Sequence, residues 1–347
     1  IEARAQTSSS HVFFAAPALT RNPENGWTTS VTGSWCHFRD TSDHVTPNDV
    51  VSIGAFYSQN RQWGFSLPFS FYGRNRKHAF TGELYAADTW FNCFGSGRGF
   101  EGESSLRYDT RMALLRVQYM RRLNEWFFLG AKWWGEHQRL ESDDPRWLTL
   151  TGRNGGWMSG PAAVGTSDTR DDVIWTTQGD FAEFSFQRYA RWTGSDYTFN
   201  RYRVDLRHFI PLGESSTWAN QLFMDHVQGD VPFYALPGVA AARRGRGYYE
   251  GRYRDQSLLM VQSELRLRII PRLSWTCFGH ASLLGNALHD WRQREWIAAA
   301  GTGLRYHFGQ RRVNTIRFDV AVPLALDAWI YAPNQAVKFY IAIGEAF

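Results

Sequence analysis

The chain has 347 residues, and its 38 Lys+Arg exceed 33 Asp+Glu by only five charges, too small and dispersed an excess to suit a nucleic-acid partner. Aromatic residues make up 16% of it while mean hydropathy is −0.42, so many large rings sit in a chain that is polar on average. Apolar runs such as 339–343 fall far short of the roughly 18–20 residues of a membrane helix, which excludes helical spans.

From residue 11 onward, candidate strands fall at 11–21, 26–38, 50–58, 62–72, 77–89, 104–120, 126–135, 160–169, 179–190, 197–210, 216–228, 257–269, 273–284, 295–308, 313–323 and 336–347. Their signal is period two. Tyr202, Val204, Leu206 and Ile210 alternate with Arg201, Arg203, Asp205 and Arg207; Leu259, Val261, Leu265 and Leu267 alternate with Gln262, Glu264, Arg266 and Arg268. Ile316, Phe318, Val320 and Val322 do the same against Arg317, Asp319 and Ala321, as do Val337, Phe339, Ile341 and Ile343 against Lys338 and Tyr340.

Such strands also suit a soluble sandwich, but a sandwich seldom lines its wet face with alternating Arg and Glu on strand after strand. A membrane barrel accounts for the pattern: rings face lipid, charges face a wet lumen, and closure leaves no backbone edge unpaired in hydrocarbon. About sixteen segments in 347 residues leave about 22 apiece, room for a tilted span of about ten residues and a turn. Connections alternate in length. Pro211-Leu212-Gly213, Ile270-Pro271-Arg272 and Gly309-Gln310-Arg311 are short, whereas 141–158, 229–256 and 284–294 are long, as short periplasmic turns and long extracellular loops require. Asn22-Pro23-Glu24-Asn25-Gly26 and Arg153-Asn154-Gly155-Gly156 carry turn chemistry. The reading is a lead segment, 1–10, and one transmembrane antiparallel β-barrel of about sixteen strands over 11–347.

Other chemistry-bearing stretches have plain explanations. Gly95-Ser96-Gly97-Arg98-Gly99 lacks a following helix and a phosphate-binding lysine, so its glycines are assigned to a turn, as are Gly301-Thr302-Gly303. His280 and Ser282, two apart on a strand, stand about 7 Å from one another, too far for nucleophile and base. Asp40, Asp43 and His44 lie in a polar inner turn. Cys36, Cys93 and Cys277 are far apart with no paired spacing. No catalysis, cofactor, metal or disulfide is expected. Trp133, Trp134, Trp296, Trp329 and Tyr331 fall near strand ends, where rings anchor at headgroups or pack under loops.

The most specific stretch is Arg244-Gly245-Arg246-Gly247-Tyr248-Tyr249-Glu250-Gly251-Arg252-Tyr253-Arg254-Asp255 in the sixth long loop, followed by Gln262-Ser263-Glu264-Leu265-Arg266. It resembles the barrel of the BamA/TamA outer-membrane assembly-factor superfamily, the bacterial surface antigen family, which carries an Arg-Gly-aromatic tip on a loop folded into the lumen. The resemblance puts the tip at Arg246, Gly247 and Tyr248 and its first acidic partner at Glu264, a pairing favoured by the planar guanidinium fork. The family's second acid aligns within Phe278-Gly279-His280-Ala281-Ser282, where His280 stands instead. Thr89-Trp90-Phe91-Asn92-Cys93-Phe94-Gly95-Ser96-Gly97 and Asp168-Thr169-Arg170-Asp171 are weaker landmarks. Ile343-Gly344-Glu345-Ala346-Phe347 resembles the family's last strand, with Gly344 at the barrel seam and Phe347 as the C-terminal assembly signal.

The resemblance implies a multi-pass bacterial outer-membrane protein acting in biogenesis, inserting or translocating a protein or lipid client. Only about ten residues precede the first strand, so a barrel-only member without POTRA modules is expected. Its implied partners are outer-membrane lipids, a separate periplasmic or lipoprotein subunit, and outer-membrane protein clients. A non-catalytic structural subunit of a larger complex and a passive pore are the alternatives.

Overall fold

The computed structural model describes every residue except 1–9, 23, 39–45, 96–104, 173–174, 214, 240–243, 289–295, 309–313, 325–336 and 344–347. Alternation takes the chain through β1 (Ser10–Asn22), β2 (Gly26–Phe38), β3 (Asp49–Ser58), β4 (Trp63–Tyr72), β5 (His78–Cys93), β6 (Leu106–Arg122), β7 (Phe127–Glu141) and β8 (Gly155–Asp168). It continues through β9 (Gly179–Tyr189), β10 (Phe199–Leu212), β11 (Ser216–Gly229), β12 (Ser257–Ile270), β13 (Leu273–Gly285), β14 (Ile297–Phe308), β15 (Asn314–Pro323) and β16 (Lys338–Ile343). Each strand runs antiparallel to its chain neighbours and β16 meets β1, which closes a sixteen-stranded barrel.

Strand ends depart from expectation where polar residues continue a strand beyond the apolar band. β7 runs on to Glu141 and β8 starts at Gly155, because Arg139 pairs with Gly155 well above the span expected at 126–135. Gly155 opens a strand with φ +78, and a Cβ there would lie 2.0 Å from the Gln138 carbonyl oxygen, so only glycine fits. Gly301 and Gly303 lie inside β14, as the strand expected at 295–308 placed them, and not in a turn.

β5 and β6 show why the outer face suits a membrane. Between the cross-strand pairs His78↔Arg121 and Asp88↔Arg111, the outward positions Phe80, Leu84, Leu115 and Tyr119 are large and exposed. The ten residue steps from His78 to Asp88, at about 3.3 Å each and a tilt of about 40°, span about 25 Å of height, the apolar band of a membrane barrel. Charge resumes at once above it, where Arg111 Nε donates to Asp88 Oδ2 at 3.1 Å.

Many inward residues are polar and paired. Arg201 and Arg203 on β10 both donate to Asp225 on β11, and Arg207 donates to Asp205. Trp133 faces outward, whereas Trp134 points inward and its Nε1 donates to Glu136 Oε2 at 2.8 Å, so it belongs to the lumen and not to a headgroup belt. At the long-loop end, Trp147 and Phe233 pack on Tyr108 of β6, and Val231 and Ala235 pack with Phe199 and Val227. Leu84→Arg, in mid-band on the lipid face, is expected to cost about 2–4 kcal/mol in vesicle-based unfolding titrations, whereas Thr81→Lys on the lumen face should cost less than about 1 kcal/mol.

Candidate functional site: the loop tip and the barrel seam

Buried arginines organise the wall formed by β12–β16. Inward positions bring Glu264 and Arg266 of β12, Arg305 of β14, and Arg317 and Asp319 of β15 to one level, all essentially inaccessible to solvent. Arg246, from the connection between β11 and β12, joins them: Nη2 donates to Glu264 Oε2 and Nη1 to Asp319 Oδ2, each at 2.7 Å. Glu264 also accepts from Arg266 at 2.9 Å and Arg305 at 3.4 Å. Asp319 also accepts from Arg305 at 2.5 Å, with Arg317 at 3.6 Å. Each carboxylate is shared by three guanidiniums, and the Arg246 guanidinium carbon lies 3.4 Å from the centroid of the Phe278 ring.

Small residues make the room. A Cβ on Gly303 would fall 2.1 Å from Asp319 Oδ1, one on Gly301 2.4 Å from the Phe278 ring, and one on Gly247 2.5 Å from Ala299 Cβ. Gly247 also has φ +117, a backbone region that disfavours other residues. Its N–H donates to Tyr340 Oη of β16 at 3.0 Å, and Tyr248 Oη donates to the Ala298 carbonyl at 2.7 Å.

His280 lies where the resemblance put a second acid, but the second carboxylate is Asp319, two strands further along the wall. His280 Nε2 lies 3.2 Å from the Arg246 carbonyl oxygen and so donates to it, which leaves Nδ1 to accept from Ser282 Oγ at 3.2 Å. The 7 Å expectation for this pair is therefore wrong: the two side chains lean together along the strand. Ser282 is nevertheless fully buried and the imidazole is committed to the loop backbone, an arrangement that holds the tip. Trp175, which sequence reasoning passed over, lies in the connection after β8. Its ring meets His307 at 4.0 Å and the Arg266 guanidinium at 5.6 Å, under the arginine cluster at the short-turn end. Gly344, Phe347, Asp40, Asp43, His44, Trp329 and Tyr331 lie outside the described residues. Among the described residues no group of three or more His, Cys, Asp or Glu side chains is placed to hold a metal.

The seam is the second feature. β1 pairs with β2 along thirteen residue pairs, from Ser10↔Phe38 to Asn22↔Gly26; on its other side it meets β16, described over Lys338–Ile343, with the pair Arg21↔Ile341. The loop tip touches both sides of it. Tyr340 on β16 holds Gly247, and Glu24 in the β1–β2 turn accepts from the Glu250 N–H at 2.8 Å. Burial, then repulsion from the Glu250 carboxylate, pushes the Glu24 carboxyl up to about 7, against the backbone N–H bond from Glu250 and a weaker attraction from Lys338.

A closed sixteen-stranded barrel with an apolar outer band and an ionic interior is a transmembrane β-barrel of the outer-membrane class. Solved structures of that fold include BamA from Haemophilus ducreyi lacking POTRA domains 1-3, which superposes with a TM-score of 0.63 at 12% identity over 98% of this chain and 70% of that one. CdiB from Acinetobacter baumannii gives 0.63 at 10% identity, over 98% and 60% of the two chains. CdiB from Escherichia coli gives 0.62 at 13%, over 95% and 62%. The chain thus spans less than two thirds of either CdiB. No protein-family model and no curated protein matches it.

Arg246→Ala removes two buried charge-assisted hydrogen bonds and should cost about 3 kcal/mol or more in detergent unfolding, with faster proteolysis between 244 and 256. Gly303→Ala should destabilise comparably. The Glu24 carboxyl lies above its ordinary 4.5 in the folded state because of its burial beside Glu250, so the folded arrangement is fully favoured below about pH 4.5 and loses stability as pH rises from there to about 7. Proteolysis of the loop should accelerate between pH 5 and pH 8 in the native protein, and Glu24→Gln should flatten that dependence.

Proposed function

We propose that this barrel works in outer-membrane biogenesis, offering the β1 edge at its seam to a strand of a protein client. The observation that carries the reading is the loop tip, tied to β16 through Tyr340 and to the β1–β2 turn through Glu24, beside the one described pair between β1 and β16. A strand edge with unpaired N–H and C=O groups in a bilayer is a strong template for a further strand, and main-chain hydrogen bonds to it supply affinity without demanding a particular client sequence. The barrel fold shared with BamA and CdiB supports the same class of work.

In this reading the loop between β11 and β12 folds back into the lumen and acts as a plug and an internal support for the seam. Arg246 anchors it to the rigid β12–β15 wall, while Gly247 and Glu250 reach Tyr340 and Glu24 on the two sides of the weak junction. A barrel so filled conducts poorly, which favours templating over a passive pore. The chain acts without catalysis and takes clients from a separate periplasmic or lipoprotein partner.

The test is a seam lock. In a background with Cys36, Cys93 and Cys277 replaced by Ser, Arg21→Cys with Ile341→Cys places thiols on the paired positions, and Val164→Cys with Ser185→Cys does the same within β8–β9. Reconstituted in vesicles, the protein should accelerate insertion of an unfolded reporter barrel. Oxidation should abolish this in the seam pair, reductant should restore it, and the β8–β9 pair should be unaffected. Undiminished insertion with the seam covalently shut, or none by the native protein, would contradict the proposal.

A further inference from the structure

The turn between β4 and β5 and the end of β6 form a basic corner at the short-turn, periplasmic rim. His78 pairs with Arg121 across β5 and β6, and the Arg122 N–H donates to the Lys77 carbonyl at 2.9 Å, so the two segments are joined through their backbones. Arg74, Lys77, Arg121 and Arg122 make no ion pair among the described residues, unlike the arginines of the lumen. Arg76, in the same turn, points the other way and is held by Asp168 at 3.0 Å. Lys77, Arg121 and Arg122 border a cavity of about 390 Å³ whose lining holds one carboxylate, Glu125.

Directly above these cations the outer face turns apolar. Phe80 pairs with Tyr119, the Tyr119 hydroxyl bonds His78 Nδ1 at 2.7 Å, and Leu84 and Leu115 continue upward with four tenths or more of their surface exposed, while exposed Leu129 pairs with Arg121 beside the cations. Leu123, which lines the cavity, and Trp126, in the same turn after β6, are more than half exposed. Cations below an exposed apolar strip form the complement of an amphiphile with a negative head and hydrocarbon tails. Guanidinium and ammonium groups match phosphate oxygens, and each is worth most near a low-dielectric boundary.

We propose that this corner is a binding site for an anionic phospholipid of the periplasmic leaflet, its phosphodiester held by Lys77, Arg121 and Arg122 and its acyl chains lying along Phe80, Leu84, Leu115 and Tyr119. The site is a quarter-turn of the barrel away from the seam and is independent of the client-templating reading. A soluble acidic protein is a poorer occupant, because the exposed leucines and rings adjoining the cations face acyl chains once the barrel is in a bilayer.

Native mass spectrometry of the full chain, delipidated in detergent, tests this with phosphatidylglycerol, phosphatidylcholine and glycerol 3-phosphate as probes. One phosphatidylglycerol should be retained at least about tenfold more tightly than phosphatidylcholine, and glycerol 3-phosphate should fail to displace it. The Lys77→Gln, Arg121→Gln, Arg122→Gln triple variant should lose that preference, while an Arg61→Gln, Arg111→Gln control at the opposite rim should keep it. Lys77→Gln alone, in an exposed turn with no fold-bearing contact from its ammonium, should give a partial loss even if the triple variant folds poorly. Equal retention by Lys77→Gln and the native chain, displacement by glycerol 3-phosphate, or displacement by a polyglutamate peptide would each overturn the lipid assignment.

Discussion

Water does not reach the middle of a bilayer, so every backbone N–H and C=O at that depth must find a partner within the protein. Fifteen consecutive antiparallel junctions meet this demand with long registers, of which β5–β6 is the longest described, from His78↔Arg121 to Cys93↔Leu106. At the sixteenth, β1–β16, one pair is described, Arg21↔Ile341. The other distinctive features of the molecule gather around that junction: a loop tip that bridges it, a charged cluster that fixes the tip, and glycines that make room for both.

The charge cluster is costly to bury and stable only as a complete set. Two carboxylates among four guanidiniums would be poorly solvated individually, but the shared bidentate geometry around Glu264 and Asp319 leaves each oxygen with a strong donor. Such a network favours one loop position over near alternatives more than it adds net stability. The contact across the seam is of a different kind. Glu24 holds the loop by one backbone hydrogen bond and sits beside another carboxylate, so the β1 side of the bridge is the one that yields first.

Period two makes the barrel legible in the sequence, because a lipid face and a wet face impose opposite chemistry on successive residues. β2 falls where the alternation put it, at Gly26–Phe38, and Arg246, Gly247, Tyr248, Glu264 and His280 do come together. Asp319 was visible as a polar residue of a strand but not as the second acid, since its partnership depends on the register Gly303↔Asp319, which no local pattern encodes. Gly301 and Gly303 fall within the strand expected at 295–308, but their role as spacers is not legible there, because the side chains they accommodate come from other strands. The upper ends of β7 and β8 were missed because they rise above the apolar band, where alternation of hydrophobicity stops but strand pairing does not. Trp175 carried no signal at all: its place under Arg266 follows from a ten-residue connection turning back beneath the barrel.

Amide hydrogen exchange in lipid bilayers, resolved to single strands, addresses the weakness of the seam without assuming any client. The β1 segment from Ser10 to Thr20 should exchange at least about a hundredfold faster than β5 and β6, with the described β16 residues close behind it. Protection of β1 and β16 equal to that of β5 and β6 would show a seam as firmly closed as the other junctions, and would contradict the account.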